Sequence, residues 1–175
     1  VIHSTLERQR ALELIIGEAV RILRATSGSV VLINPTNGFL EIEAAVGLPA
    51  EGKALRLKVG EGITGWVARH GKSARVGDVR QDTRYIMAEE NVRSELAVPL
   101  EVAGMLRGVL NVDSDRLDAF SRDDEQLLRD LALPAAQVIQ NTWLYEQIRQ
   151  KARLFETLVN VSKTINSTLN LDDVL

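Results

Sequence analysis

Gly60 to Tyr85 reads GEGITGWVARHGKSARVGDVRQDTRY. Dense glycine, mixed charge and an aromatic near each end set this stretch apart from the flanking chain, where apolar residues recur with regular period. Ile63 to His70 has the spacing of about two helical turns, and Gly71 is placed to stop them. Arg75-Val76 reads as a strand fragment, and Asp78 and Asp82 as side chains that cap a turn or a short helix. An irregular polar insert carried on a regular scaffold is the usual form of a binding site.

Working outward, Ser4-Thr5-Leu6-Glu7 reads as a helix start with Ser4 as N-cap and Glu7 closing a capping box. Leu12, Ile15, Ile16, Ala19, Ile22 and Leu23 then share one helical stripe that is predicted to end near Ala25. Ser29 to Ile33 is a continuous apolar and β-branched run, as in a strand covered on both faces. Asn34 to Gly38 is a turn. Leu40, Ile42, Ala44 and Val46 alternate with Glu41, Glu43 and Ala45, which reads as a strand with one wet face. Gly47 to Ala54 reads as a loop, and Leu55 to Val59 as a short strand. On the far side of the insert, Ser94 to Val102 (SELAVPLEV) is a strand with Pro99 at a bulge or an unpaired position. Ala103-Gly104 turns the chain, and Met105 to Asp113 returns as a buried strand.

Ser121 caps a helix whose first turn carries Asp123, Asp124 and Glu125, where the helix dipole favours acids. Helical spacing then runs on to about Thr168, with Pro134 expected to kink or split it. At 1.5 Å per residue such a helix is roughly 70 Å long. Tyr145, Ile148, Phe155, Leu158 and Ile165 continue its apolar stripe with nothing left in the chain to cover them. A homodimer joined through a coiled coil or parallel bundle is therefore expected. The organisation read here is a domain over residues 1–145 and a linker helix over 146–175.

The chain has 175 residues, of which 45% are hydrophobic and 26% charged, with a net charge of -3. That is the composition of an ordinary globular protein. It offers no basic face for nucleic acid. No apolar run reaches the ~20 residues of a membrane span, so a cytoplasmic location without membrane contact is expected. There is no cysteine, which removes disulfides, thiolate nucleophiles and thioether-linked chromophores.

The order helix, hairpin, insert, hairpin, long helix resembles the GAF domain. Four stretches carry the likeness: Gly60 to Ala68 (GEGITGWVA), Ser94 to Leu100 (SELAVPL), Gly108 to Asp113 (GVLNVD), and Phe120-Ser121 followed by acids and Leu127. The resemblance implies an α+β fold, with an antiparallel sheet of about five or six strands, terminal helices on one face and a ligand pocket on the other. It also implies signalling through the terminal helices to an output domain such as a kinase or cyclase. Ser167 to Leu175 (STLNLDDVL) is similar to the linker that opens a following module in bacterial signalling proteins such as sensor histidine kinases, and a chain opening at Val1 reads as a fragment of a longer one. Bilin-linking and methionine-sulfoxide-reducing members of the family use cysteines, which this chain lacks. Cyclic-nucleotide members carry Asn-Lys…Phe-x-x-x-Asp-Glu. Phe120, Asp124 and Glu125 match, while Val112 replaces the lysine after Asn111.

Gly62, Thr64, Trp66, Val76, Asp78, Arg84, Tyr85, Ser94, Glu95 and Asn111 are the candidate pocket residues. Each has a plainer account. Gly60-x-Gly62-x-x-Gly65 has the form of a dinucleotide loop, but the helix after it ends by Gly71, so a turn into a short helix is the simpler reading. Trp66 and Tyr85 stack on a planar ligand or close a core. The insert's arginines and aspartates bind an anion or pair with one another. Glu95, Asn111 and Asp113 are polar positions on apolar strands, as in a pocket floor or at strand ends. His70 is a lone haem-ligand candidate in a helix C-terminal position, and haem is not expected. With two histidines and no cysteine, no zinc site is expected. No Ser/His/Asp set, metal-spaced cluster or paired-carboxylate site stands out, and no catalysis is expected. The reading is a small-molecule sensing domain relaying through a dimer, with a ligandless structural relay domain as the alternative.

Overall fold

The computed structural model describes residues 2–87 and 90–172, with side chains at 2–4, 51 and 170–172 outside the description. The chain runs α1 (Ile2–Ile22), β1 (Ser27–Ile33), β2 (Leu40–Val46), α2 (Ala50–Ala54), α3 (Gly62–His70), β3 (Ala74–Val76), β4 (Ser94–Val102), β5 (Met105–Ser114) and α4 (Arg122–Asp172). The five strands form one sheet in the order β2-β1-β5-β4-β3, with every pairing antiparallel. It is an α+β fold with five strands.

One face of the sheet packs on the terminal helices. Leu12, Ile16 and Ala19 of α1 and Leu128, Ala135 and Ile139 of α4 bury against Val30, Leu96, Val98, Leu110 and Val112. The other face packs under α3, where Ile63, Val67 and Ala68 meet Val31, Leu40, Ala97 and Val109. The alternation of strand side chains thus feeds two separate cores.

Two β-bulges break that alternation. In β2, Val30 pairs with Ala44 and Val31 with Ile42, so Glu43 has no partner. The bulge moves Leu40 and Ile42 onto the α3 face and leaves Ala44 on the helix face, which corrects the reading of one uniform alternating strand. In β5, Leu100 pairs with Gly108 and Glu101 with Leu106, so Arg107 is the extra residue. Pro99 pairs with Val109 outside either bulge. Its missing N–H faces the side where the short β3, paired only to residues 95–97, has already ended.

Other boundaries also shift. α1 starts at Ile2, so Ser4 lies inside it and is not its cap. Gly47 to Ala54 is not all loop, because α2 forms within it. Leu55 to Val59 makes no strand. Only Lys58 bridges to Phe39, because the chain turns away at Gly60, with φ 98°. α4 is a single 51-residue helix that runs through Pro134 without splitting. Its start is capped reciprocally: the Asp124 amide donates to Ser121 Oγ at 3.2 Å and the Ser121 amide donates to Asp124 Oδ2 at 2.7 Å. α4 continues to Asp172, and residues 173–175 lie outside the described residues. No helix among the described residues is long and apolar enough to cross a membrane.

Candidate functional site

A cavity of about 90 Å³ lies between the α3 face of the sheet and the insert. Its floor is polar. Ser29, Asn111, Asp113 and Glu95 reach it from β1, β5 and β4, and Thr64 from the first turn of α3. Its walls are apolar and include Leu40, Ile42, Leu57, Ile63, Ile86 and Val92. The sheet register sets the floor: Glu95 is the cross-strand partner of Asp113, and Ser29 that of Asn111.

These groups form one hydrogen-bonded network. Thr64 Oγ1 donates to Glu95 Oε1 at 3.1 Å, and Asn111 also bonds Glu95. Asn111 Nδ2 reaches Asp113 Oδ2 at 3.4 Å, and Ser27 Oγ donates to the same oxygen at 3.3 Å. Ser29 Oγ donates to Asn111 Oδ1. Glu95 and Asp113 are only 5% and 7% exposed. Burial pushes the Glu95 carboxyl up to about 7, and the charge of Asp82 pushes it the same way, against hydrogen bonds from Thr64 and Asn111 and the charge of Arg84.

The nearest guanidinium is committed elsewhere. Arg84 Nη2 and Nε donate to the two oxygens of Asp82 at 2.6 and 2.9 Å, and its Cζ lies 4.6 Å from the Trp66 ring centroid. The hydrogen bonds from Arg84 hold the Asp82 carboxyl below its ordinary value. Trp66 in turn stacks on His70 at 4.5 Å. Two carboxyl groups thus share a buried floor, while Arg84, whose charge also acts on Glu95, is hydrogen-bonded to a third at Asp82.

Of the sequence candidates, Gly62, Thr64, Tyr85, Glu95 and Asn111 line the cavity. Trp66 lies outside it, between Arg84 and His70. Val76 is buried in the core under α3. Asp78 caps a 3-10 turn at Val79–Gln81 by accepting from the Arg80 amide. Ser94 turns to the opposite side and donates to the Arg116 carbonyl at 2.7 Å. Met87 is 69% exposed, and Leu96 belongs to the helix-side core. Ser29 was missed, although a small polar residue in a buried apolar strand is a readable signal. Among the described residues no group of three or more His, Asp or Glu side chains is placed to hold a metal ion.

Residues 5–140 match the GAF domain family. The chain belongs to that family. It is 32% identical over 105 residues to the free methionine-R-sulfoxide reductase of Escherichia coli, covering 59% of this chain and 64% of the relative. It is 30% identical over 121 residues to a Nif-specific regulatory protein of Azospirillum lipoferum, covering 65% of this chain and 19% of that one. Among solved structures, the type II free methionine-R-sulfoxide reductase of Thermoplasma acidophilum superposes with a TM-score of 0.72 at 20% identity, over 79% of this chain and 96% of that one. The GAF scaffold is thus shared here with a regulatory protein and with enzymes.

The expectation of no catalysis is corrected by these likenesses, because reductases are among the proteins this GAF domain is similar to in sequence and in fold. The reading failed for a physical reason. It sought a catalytic set in local spacing, whereas the β4–β5 register sets Glu95 opposite Asp113 from two different strands, a pairing that spacing along the chain does not show.

Proposed function

We propose that this GAF domain binds a small amine-bearing metabolite of amino-acid size, and that Glu95 and Asp113 recognise its ammonium group. The observation that carries the reading is the pair of buried carboxyl groups, Glu95 and Asp113, set opposite each other on one cavity floor. An ammonium group entering the cavity would meet carboxyl oxygens that accept charge-assisted hydrogen bonds from it. Size supports the same class. Pockets for drug-sized ligands are roughly 300–1,000 Å³, whereas this cavity is about 90 Å³, too small for a nucleotide or a tetrapyrrole. Free methionine sulfoxide, named in the E. coli relative, is the first compound to try.

Calorimetric titration with L-methionine sulfoxide, L-methionine and their deaminated analogues tests the reading. The amines are expected to bind, and Glu95→Gln or Asp113→Asn to weaken them at least tenfold, as loss of one charged contact in a buried site does. Equal affinity for the deaminated analogues would overturn it.

The sensing role extends to α4. We infer that a second copy covers its distal stripe, so that the pocket's state is relayed through a helix pair to an output domain. From Gln147 to Leu169 every side chain except that of Val159 is exposed, although Ile148, Phe155, Leu158 and Ile165 lie on one stripe. Lone apolar stripes of this length are buried in helix pairs or bundles.

A further inference from the structure

We propose that Arg107 is a positioning residue that links the pocket to the exit of α4, through its place on the Trp143 ring; this rests on the pocket being a ligand site. The bulge in β5 makes the link. Without it Arg107 would share the face of Val109, Asn111 and Asp113. With it, the Arg107 Cζ lies 5.7 Å from the Trp143 ring centroid on α4. The neighbouring Leu106 turns the other way and lies against Gly71, the left-handed cap of α3, within 3.8 Å of where a Cβ there would stand.

α3 connects the pocket to β5, since Val67 and Ala68 of α3 pack in one core with Val109, two residues beyond Arg107. Thr64, in the first turn of α3, holds Glu95 on the cavity floor. α3 is one nine-residue rod that ends at Gly71 on Leu106. Arg107 follows Leu106, and Trp143 is the last large side chain of α4 packed against the domain core. A shift of α3 when a ligand takes up Glu95 therefore arrives at the bulge and then at Trp143.

The two bulges differ in how firmly they grip. Glu43, extra in β2, is pinned to Arg8 of α1 at 2.6 Å. Arg107 has no ion pair among the described residues. Its Nε is buried without a partner, and Nη2 meets only the Met105 sulfur at 3.4 Å. A guanidinium held by an aromatic face and a thioether is weakly fixed and can be displaced at small cost.

The test uses the two tryptophans of the chain. Trp66→Phe leaves Trp143 as the sole reporter. Its emission, and hydrogen exchange across residues 147–169, are followed during titration with L-methionine sulfoxide in the Arg107, Arg107→Lys and Arg107→Ala backgrounds, with calorimetry in parallel. With Arg107, binding is expected to shift the emission and change exchange at least about twofold, the scale of a modest coupling. With Arg107→Ala, binding should persist within about twofold while both responses vanish, and Arg107→Lys should restore part of them. An undiminished response in Arg107→Ala overturns the proposal. If calorimetry shows no binding in any background, the ligand reading fails and the link is judged without ligand. Thr64→Val then perturbs α3 directly, and its effect on Trp143 emission must depend on Arg107. Additive effects of Thr64→Val and Arg107→Ala overturn the proposal.

Discussion

Glu95 and Asp113 sit opposite each other in the β4–β5 register, both buried and both joined through Asn111. Burial, and after it the charge of Asp82, holds the Glu95 carboxyl above its ordinary value. Glu95 and Asp113 both line the cavity, so a charged occupant would act on them directly.

The stability of the empty protein should therefore fall as pH rises through neutrality. The Glu95 carboxyl has an ordinary value of 4.5 and is raised to about 7 in the fold. The folded state then holds a proton that the unfolded state has released. Its contribution is fully present below about pH 4.5 and is lost as pH rises to about 7. The full loss is on the order of 3 kcal/mol. Urea midpoints for wild type and Glu95→Gln between pH 5 and 8 check this. The neutral isostere should lack this component and gain on wild type with rising pH, and parallel curves would count against it.

Gly108 should tolerate no side chain. A Cβ there would collide with the Val31 carbonyl oxygen and stand 3.1 Å from Leu32 Cδ2. The obstacle is backbone in the centre of the sheet, which cannot swing aside. Gly108→Ala is expected to cost about 3 kcal/mol, at the upper end of overpacking, measured as a lowered denaturant midpoint with an unchanged slope.

The fold was legible because its elements are written in period and punctuation. SELAVPLEV is a strand at its expected ends, and the acids behind Ser121 start α4 where they should. The bulges at Glu43 and Arg107 were not legible, because a strict alternation reads the same whether or not one residue is skipped in pairing. The cavity floor was half legible. Glu95 and Asn111 stand out on apolar strands, but their pairing with Asp113 and Ser29 is a matter of register between distant segments. Arg84 and Trp66 looked like pocket residues because they are polar or aromatic in the insert, yet Asp82 and His70 had already engaged them.

The Arg8–Glu43 pair should hold α1 to the sheet edge. Arg8 Nε and Nη2 reach Glu43 Oε1 at 2.7 and 2.6 Å, with side chains 12% and 15% exposed. Removing one partner leaves a charge in a poorly solvated place. Arg8→Ala is expected to cost about 2 kcal/mol, in the range for hydrogen bonds to charged groups. Arg8→Met together with Glu43→Leu should recover much of it, since an apolar pair of similar volume avoids the desolvation. Thermal denaturation of the single and double variants measures both. Recovery would show that the bulge at Glu43 serves position more than charge.

Self-association through α4 should be apolar in character. Leu158 and Ile165 are 58% and 53% exposed in the single chain, and each would bury in a helix pair. A buried aliphatic side chain contributes about 1.5–3 kcal/mol, so Leu158→Lys or Ile165→Lys should raise the dimer dissociation constant by roughly one to two decades. The domain itself should be untouched, because neither residue contacts it and both sit on the free part of the helix. Sedimentation equilibrium of wild type and both variants gives the constants, and urea unfolding gives the control. Raising the salt from 0.1 to 0.5 M should leave wild-type association nearly unchanged, since screening acts on charges and the stripe carries few. A dimer that survives both substitutions, or that salt dissolves, would place the contact elsewhere on the domain.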